Sequence, residues 1–344
     1  MTKNINGIEL EYEFKTDKST GKTSIAIVRA SDIQGDFTIP AEIDGYAVTH
    51  IGESAFYHCI GLIRVIIPDG VIKIARKAFA DCRELKSVEI SASVMDIGYY
   101  AFEDCGELSS FSVAEDNPNY KSVSRLLLTK DGKTLVFGIG GDVIIPNGVT
   151  QIDWTAFAGR RGLTGVTMPD SVMHVGKRAF YNCENLKDLV MSKGMKDIWT
   201  SAFEGCKALP SVAIPEGVTW IGREAFSHCW RLKHVTIPSS ATDIGWHAFS
   251  DCVSLTNVVI PNGVTSIESL TFHGCTALKS ISFPPSVKDI GILAFAFTAL
   301  ETVRVAVGDA DRVKKLFLDS GSDIKGIKFL ELVGDDDRIQ EENL

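Results

Sequence analysis

Apolar residues return along this chain at a fixed interval of 23 residues, and each interval repeats the same internal pattern. In one unit, Phe226, Cys229 and Leu232 follow one another at steps of three, a spacing that suits a short helical or 3₁₀ turn with one apolar face. The marker of each unit, numbered zero below, is a phenylalanine: Phe56, Phe79, Phe102, Phe157, Phe180, Phe203, Phe226, Phe249, Phe272 or Phe295.

The second half of each unit has a different periodicity. Val235 and Ile237 alternate with polar residues, which predicts a short strand, and Pro238 ends the pairing because it has no N–H to donate. Gly245, at plus 19, allows a tight corner before the next phenylalanine. One unit is therefore predicted to be a strand, a corner, an extended segment, a second corner and a short helical turn.

A fixed period of this length is typical of a solenoid, in which each repeat cannot bury its apolar face alone. We predict an α/β solenoid, a continuous right-handed coil with the ten phenylalanines stacked in one buried column. Successive parallel strands are expected ~4.8 Å apart. The predicted strands lie near 64–67, 87–90, 165–168, 188–191, 211–214, 234–237, 257–260 and 280–283.

The repeat resembles a known family. The pattern reads L-x-x-V-x-I-P-x-x-V-x-x-I-G-x-x-A-F-x-x-C, which is similar to the BspA-type leucine-rich repeat of bacteria and protists, over about residues 37–305. Arg160 and Thr298 depart from it by replacing Cys at plus 3, and Leu300 arrives one residue early. The resemblance implies a surface-exposed or secreted interaction protein that adheres to host or neighbouring cells.

One interval is longer than the others, since 55 residues separate Phe102 from Phe157. The extra residues, at about 114–145, contain Asp131-Gly132 between two apolar runs, which is a hairpin signal. We expect a β-hairpin excursion from a single coil.

The two ends of the chain differ from the repeat. Residues 1–36 are expected to form an N-terminal β cap, in which a hairpin of 8–14 and 23–28 covers the first rung. Residues 306–333 are expected to form a C-terminal cap with a helix at 310–318 and a strand at 327–332. Residues 334–344 form an acidic tail.

Charge and hydropathy exclude several classes of partner. The tail contributes −4 to the net charge of −9, and the remaining body has no large basic patch, which disfavours nucleic-acid binding. No apolar run is long enough to predict insertion in a membrane. No export signal is visible at the N-terminus, so the localisation is open between the cell surface or secretion, as the resemblance implies, and the cytoplasm.

All eight cysteines share position plus 3: Cys59, Cys82, Cys105, Cys183, Cys206, Cys229, Cys252 and Cys275. A disulfide or metal ladder is one interpretation. We favour a column of reduced, buried thiols without metal, because free Cys behaves as a small hydrophobe. No phosphate loop, nucleophile elbow or zinc motif occurs, so we expect no catalytic residue, cofactor or metal site.

Two surfaces are candidates for binding a protein. Aromatic residues precede the phenylalanine turn, on the back or rim of the coil, and aromatic side chains are frequent interface anchors: Tyr99, Tyr100, Trp154, Trp199, Trp220 and Trp246. The alternative is the outward face of the strands, where Arg64, Asp188 and His234 are the few specific side chains. The aromatic residues have a plainer interpretation, as covers for the edge of the core.

The sequence therefore predicts a non-enzymatic, protein-binding repeat scaffold, with adhesion at the cell surface or after secretion as its first role. Its partner is a protein of unknown identity, and self-association is a further option. An intracellular scaffold is the alternative, favoured by eight unpaired cysteines and no visible leader. An enzyme with an unrecognised site in the insert is the alternative of another class.

Overall fold

The computed structural model describes residues 1–332, and the predicted acidic tail at 334–344 lies outside the described residues. The chain divides into two compact units, a first unit of Met1–Val190 and a second unit of Met191–Leu344. In each unit, parallel strands are paired with a shift of 23 residues, as between Arg64 and Ser87 or Ser211 and His234. Each unit is therefore a parallel-strand β-solenoid.

The first unit contains nineteen strands. They are β1 (Thr2–Ile5), β2 (Ile8–Thr16), β3 (Thr23–Ala30), β4 (Gln34–Thr38), β5 (Glu42–Ile43), β6 (Tyr46–Ile51), β7 (Gly61–Ile67), β8 (Lys73–Ile74), β9 (Ser87–Ile90), β10 (Asp96–Ile97), β11 (Ser110–Val113), β12 (Tyr120–Val123), β13 (Leu126–Thr129), β14 (Thr134–Phe137), β15 (Gly141–Ile144), β16 (Gln151–Ile152), β17 (Leu163–Thr167), β18 (His174–Val175) and β19 (Asp188–Val190).

The described part of the second unit contains eleven strands and one helix. They are β20 (Asp197–Ile198), β21 (Ser211–Ala213), β22 (Trp220–Ile221), β23 (His234–Thr236), β24 (Asp243–Ile244), β25 (Asn257–Val259), β26 (Ser266–Ile267), β27 (Ser280–Ser282), β28 (Asp289–Ile290), β29 (Thr302–Ala306), α1 (Ala310–Asp319) and β30 (Lys328–Leu332).

Two rows of parallel strands line the coil in each unit, called here the front sheet and the back sheet, and in the first unit the insert divides each row into two hydrogen-bonded sheets. The front sheet contains the strands predicted from the Val-x-Ile alternation, and all eight are present, from β7 to β27. The back sheet consists mostly of two-residue strands such as β8 and β10, in a segment that the sequence predicted only as extended. The second residue of each two-residue strand is a buried Ile or Val. Each of these short strands therefore buries one apolar side chain.

The N-terminal hairpin is present as β2 and β3, which pair antiparallel, and β1 adds a third strand on the other side of β2. β3 also pairs parallel with β6, with Ile27 opposite Ile51. The hairpin thus continues directly into the back sheet of the first rungs. The exposed end of the solenoid is therefore covered by a hairpin of which one strand, β3, runs parallel to the strands of the coil.

The segment around each phenylalanine is a series of single turns of the 3₁₀ type, one of the two predicted forms, and it does not continue into a helix. Tyr57 N donates to Ser54 O at 3.0 Å and Cys59 N donates to Phe56 O at 3.3 Å, which are single turns of the i to i+3 type. Ser54 and His58, at minus 2 and plus 2, have positive φ, and this conformation recurs at those positions in the other rungs. A left-handed residue every four positions prevents a helix from propagating.

The phenylalanines form the predicted buried column in each unit. Neighbouring rings stack with centroids 4.9–5.6 Å apart, as between Phe56 and Phe79 or Phe249 and Phe272. Nine of the ten side chains have no exposed surface, and Phe295 is 5% exposed. At the C-terminal end, Phe317 of α1 stacks on Phe295 at 5.0 Å, so the helix extends the column by one ring.

The cysteines are all buried, as predicted. Six of them donate from Sγ to the carbonyl oxygen of the phenylalanine 26 residues earlier, at 3.0–3.3 Å, as Cys82 does to Phe56. Burial raises the pKa of Cys183, Cys229 and Cys275 to about 12. The column is therefore a set of neutral donors that join one turn to the turn before it.

The insert adds a three-stranded meander, β12 to β14, and a shortened rung. The Asp131-Gly132 turn joins β13 to β14, and β14 then pairs parallel with β16 in the back sheet while β15 pairs with β17 in the front sheet. The shortened rung lacks its own Ala-Phe turn. A Cβ at Gly138 would overlap the ring of Phe157, so only glycine fits where the chain passes the phenylalanine column.

Arg160 spans this shortened rung. It occupies the cysteine position, is 1% exposed, and donates from Nε to Gly138 O at 3.1 Å. Its Nη1 donates to Phe102 O at 2.9 Å and Cys105 O at 3.1 Å. A thiol at this position would be too short to reach back past an additional rung. The longer side chain therefore makes the same bond to a phenylalanine carbonyl across the gap.

Candidate interaction surfaces

Aromatic residues on the first unit form a pair beside a groove. Tyr99 and Trp154 stack with centroids 5.2 Å apart at 27°, and they are 52% and 38% exposed. Each follows a back-sheet strand by two residues, β10 for Tyr99 and β16 for Trp154. The back sheet therefore brings together two side chains that are 55 positions apart in sequence. We name them the Tyr99–Trp154 pair.

The groove beside Tyr99 has a volume of about 390 Å³ and a lining of both polar and apolar groups. Its lining includes Tyr120 from the insert and Asp153, whose carboxylate accepts a bond from Trp154 N at 2.8 Å. Burial raises the pKa of Asp153 and of Tyr120. Lys73 and Asp96 form an ion pair of 2.8 Å in the same lining. This groove offers both aromatic area and hydrogen-bonding groups to a ligand.

Tyr100 does not extend the pair. It has φ of 62° and lies half-buried, with the side chains of Arg76 and Lys77 over its ring at 5.8 and 5.6 Å. Cations already occupy the ring face, in contacts worth about 0.5–1 kcal/mol each at exposed sites. Tyr100 therefore has less free aromatic surface than its neighbour.

On the second unit, the structure brings together two of the three predicted tryptophans. Trp199 and Trp220 make an edge contact at 6.1 Å and 75°. Trp246 is 49% exposed and donates from Nε1 to Glu268 at 3.1 Å, with Arg223 over its ring at 5.9 Å. No ring contact joins Trp246 to Trp220 within residues 1–332. We name these three residues the tryptophan cluster, a contacting pair with one separate ring.

The side chains predicted on the front sheet are weaker candidates for binding a partner. Arg64 donates from Nε to Glu89 at 2.9 Å and lies 3.9 Å from Asp36, so its charge is largely compensated. Asp188 and His234 are exposed, but they lie on different units and on strands that are not neighbours of β7. The three predicted handles are therefore not brought together in one site.

Sequence reasoning missed an apolar patch on the same face. Ile144 is 75% exposed and Val190 is 55% exposed, and the strand register places Thr167 between them. Ile144 lies in the insert and was therefore not counted among the outward-facing residues of the predicted front strands. The signal was present, however, because Val143, Ile145 and Pro146 match the Val-x-Ile-Pro pattern of the other front strands.

Neither a candidate metal centre nor a membrane-spanning helix is present among residues 1–332. Residues 1–332 contain no cluster of three or more His, Cys, Asp or Glu able to hold a metal ion. In the insert, Asp131 serves its own turn by accepting bonds from Thr129 and Lys133, which lower its pKa. No helix among those residues is both long and apolar enough to cross a bilayer.

Comparison with known families gives a clear result. The model of a protein family described as a BspA type leucine rich repeat region matches residues 41–124, 141–255 and 197–320, in six copies. These residues make up more than half of the chain. The chain belongs to the BspA-type leucine-rich repeat family. The match leaves out residues 125–140, where the insert enters the repeat. No curated protein sequence matches significantly.

Two solved structures share the fold of this chain at low sequence identity, and a third is similar in sequence over most of its length. The pneumococcal vaccine antigen PcpA is 15% identical, with 97% of this chain and 99% of that chain covered and a TM-score of 0.51. A leucine-rich repeat protein from Eubacterium ventriosum is 18% identical, with coverage of 87% and 95% and a TM-score of 0.50. A leucine rich cell surface protein from Faecalibacterium prausnitzii is 24% identical, with coverage of 82% and 94% and a TM-score of 0.42.

Proposed function

We propose that this leucine-rich repeat protein is a non-enzymatic scaffold that binds a protein partner through its exposed aromatic side chains. The observation that carries the proposal is the Tyr99–Trp154 pair. Two large rings are held together by the back sheet and exposed beside a groove with polar groups. Side chains that only covered the edge of the core would lie flat with little exposed surface, and Tyr99 is 52% exposed.

We further propose that the scaffold acts at the cell surface or after secretion, in adhesion to host or neighbouring cells. Membership of the BspA-type family supports this role, and PcpA, which has the same fold, is described as a vaccine antigen. The rigid stack of rungs in each unit suits the role, because a preformed surface loses little conformational entropy on binding. The buried thiols suit an exposed location, because they are shielded from oxidants.

A binding experiment tests the choice of surface. The purified chain is presented to immobilised host matrix proteins and to cell lysates, and a captured partner is then titrated against variants. Tyr99→Ala and Trp154→Ala should each weaken binding by at least about tenfold, as removal of an interface anchor does. Trp220→Ala and Trp246→Ala test the tryptophan cluster separately.

The matched control is the front sheet, with Asp188→Ala and His234→Ala. Circular dichroism establishes that each variant is folded. If all four aromatic variants bind as well as the parent while the front-sheet variants fail, the aromatic residues only cover the core and the partner binds the front sheet. Localisation has its own test: antibody labelling of intact cells of the source organism should detect the protein at the surface, and labelling only after lysis would favour the intracellular alternative.

A further inference from the structure

Successive phenylalanine turns are joined by a backbone hydrogen bond that recurs along the coil. In seven turns the N–H at plus 2 donates to the carbonyl oxygen at plus 1 of the next turn, at 2.7–3.0 Å, as from His58 to Ala80 and from Gly274 to Ala296. In such a ladder, the plus 2 N–H of the last turn has no following carbonyl oxygen to bond. The plus 1 carbonyl oxygen of the first turn likewise has no preceding N–H. The side chains around these two ends determine what they can bind.

The last turn ends beside a hollow that both polar and apolar side chains line. Phe297 N is the donor at plus 2, and no carbonyl oxygen within residues 1–332 accepts it. The Phe297 side chain is 74% exposed, and Ile292 and Leu293 beside it are 68% and 43% exposed. The hollow has a volume of about 390 Å³, and Leu300 and Ile327 also line it.

Local conformation does not explain these apolar residues. Leu293 and Phe297 have φ of 57° and 58°, a region that bulky side chains adopt only at a cost. In earlier rungs, plus 2 is a residue that tolerates this conformation well: His58, Asp81, Asp104, Gly159, Asn182, Gly205, His228, Asp251 and Gly274. An exposed phenylalanine at this position is compatible with a role in contact, since neither burial nor backbone geometry favours it.

The first turn has the complementary feature. Tyr57 O stands at plus 1, where later turns accept a bond, and no donor reaches it in the described part of the chain. Tyr57 and Ile60 are 55% and 45% exposed. The N-terminal cap covers only part of this turn, where Ala30 N donates to Ala55 O at 2.8 Å. An unused acceptor with apolar neighbours therefore lies at this end.

We propose that copies of this chain associate head to tail, with the Tyr57 end of one copy docked on the Phe297 end of another. Phe297 N would donate to Tyr57 O of the second copy and so continue the ladder across the contact. Contact between two identical ends would place donor against donor, so the hydrogen-bonding pattern favours unlike ends. Such a heterologous contact repeats from copy to copy and forms chains, or rings if the rotation closes.

Sedimentation and light scattering from about 10 μM to about 1 mM test the proposal. The mass of the parent chain should rise with concentration. Phe297→Asp and Tyr57→Glu use residues that the repeat already has at those positions, in Asp81 and Glu103. Each should weaken self-association at least about tenfold, by placing a charge in the contact. Ile144→Asp, on the front sheet, is the charge control and should associate like the parent.

Mixing the two variants gives the sharper result. Each retains one intact end, so an equal mixture should form a 1:1 complex and nothing larger, although each variant alone stays monomeric. A parent chain that remains monomeric throughout would overturn the proposal, as would a Tyr57→Glu variant that still pairs with itself or a mixture that does not associate. Unchanged circular dichroism shows folding, and Phe297→Ser with Tyr57→Ser replaces any variant that fails this test.

Discussion

Arg160→Met should destabilise the first unit by about 2–4 kcal/mol, and the structure supplies the terms. The substitution keeps an unbranched stem, although a shorter one, and removes all three donated bonds, to Gly138, Phe102 and Cys105. Hydrogen bonds from a charged group contribute roughly 1.5–3 kcal/mol each, and buried acceptors left without a donor carry a comparable cost. The gross loss is therefore on the order of 4–9 kcal/mol.

An opposing term reduces that loss. Arg160 is fully buried, and desolvation lowers its pKa, so the fold bears a penalty for keeping the guanidinium charged in this position. Replacing a buried ion with an apolar side chain recovers several kcal/mol, and such exchanges are sometimes neutral. We expect the lost bonds to outweigh this recovery, because the carbonyl oxygens that Arg160 contacts belong to the backbone and cannot be removed with it.

Urea denaturation and hydrogen exchange measure the effect. Unfolding should begin at lower urea than in the parent, and exchange should increase in peptides covering about residues 102–110 and 134–142, because a repeat protein loosens locally first. Arg161→Met is the matched control: its side chain is exposed and forms only a 3.8 Å pair with Glu184, so a change within about 0.5 kcal/mol is expected. An Arg160→Met protein with parental stability and parental exchange would refute the bridging role.

Three further predictions concern the rungs. Phe226→Ala should cost about 3–5 kcal/mol in urea denaturation because it empties one place in the stacked column, and a loss below about 1 kcal/mol would contradict the stacking. Without reductant, all eight thiols should react slowly when the protein is folded, because all are buried, and rapidly in denaturant; fewer than eight reactive thiols in denaturant would reveal disulfides. Gly98→Ala should lower the thermal midpoint, since its Cβ would lie 2.5 Å from Arg76 N, whereas Gly106→Ala, with open space around it, should not.

The sequence was sufficient for the solenoid and its core because the period places the same residue type at the same depth in every rung. Phe226, Cys229 and Leu232 are buried for that reason, and the Val-x-Ile strands were readable from their alternation. Steps of three fit both a short helix and single 3₁₀ turns, and the structure has the single turns. Only the backbone shows that His58 and its counterparts at plus 2 have positive φ.

The candidate surfaces were less predictable. The repeat phase correctly placed Tyr99 and Trp154 at the same position, but their contact depends on how the insert adds a shortened rung between them. Their places in three successive units suggested that Trp199, Trp220 and Trp246 could form one patch, yet the ring of Trp246 contacts Glu268 and Arg223 instead. The position of a residue within the repeat determines the direction of its side chain. The neighbours of that side chain depend on its rotamer and on residues that differ from rung to rung.

The ladder gives the row of phenylalanine turns an electrical direction, although backbone bonds elsewhere in the rung, such as Gly98 N to Ile74 O, run the opposite way. Within a stack, the plus 2 N–H groups point toward later rungs and the plus 1 carbonyl groups point toward earlier ones, so their peptide dipoles add as they do along a helix. The thiols point the opposite way and oppose this field only weakly, since S–H is a poor donor. Bonds aligned in a chain polarise one another. Each rung added to a stack should therefore strengthen the bonds already present, and deleting a complete rung should weaken the rungs that remain.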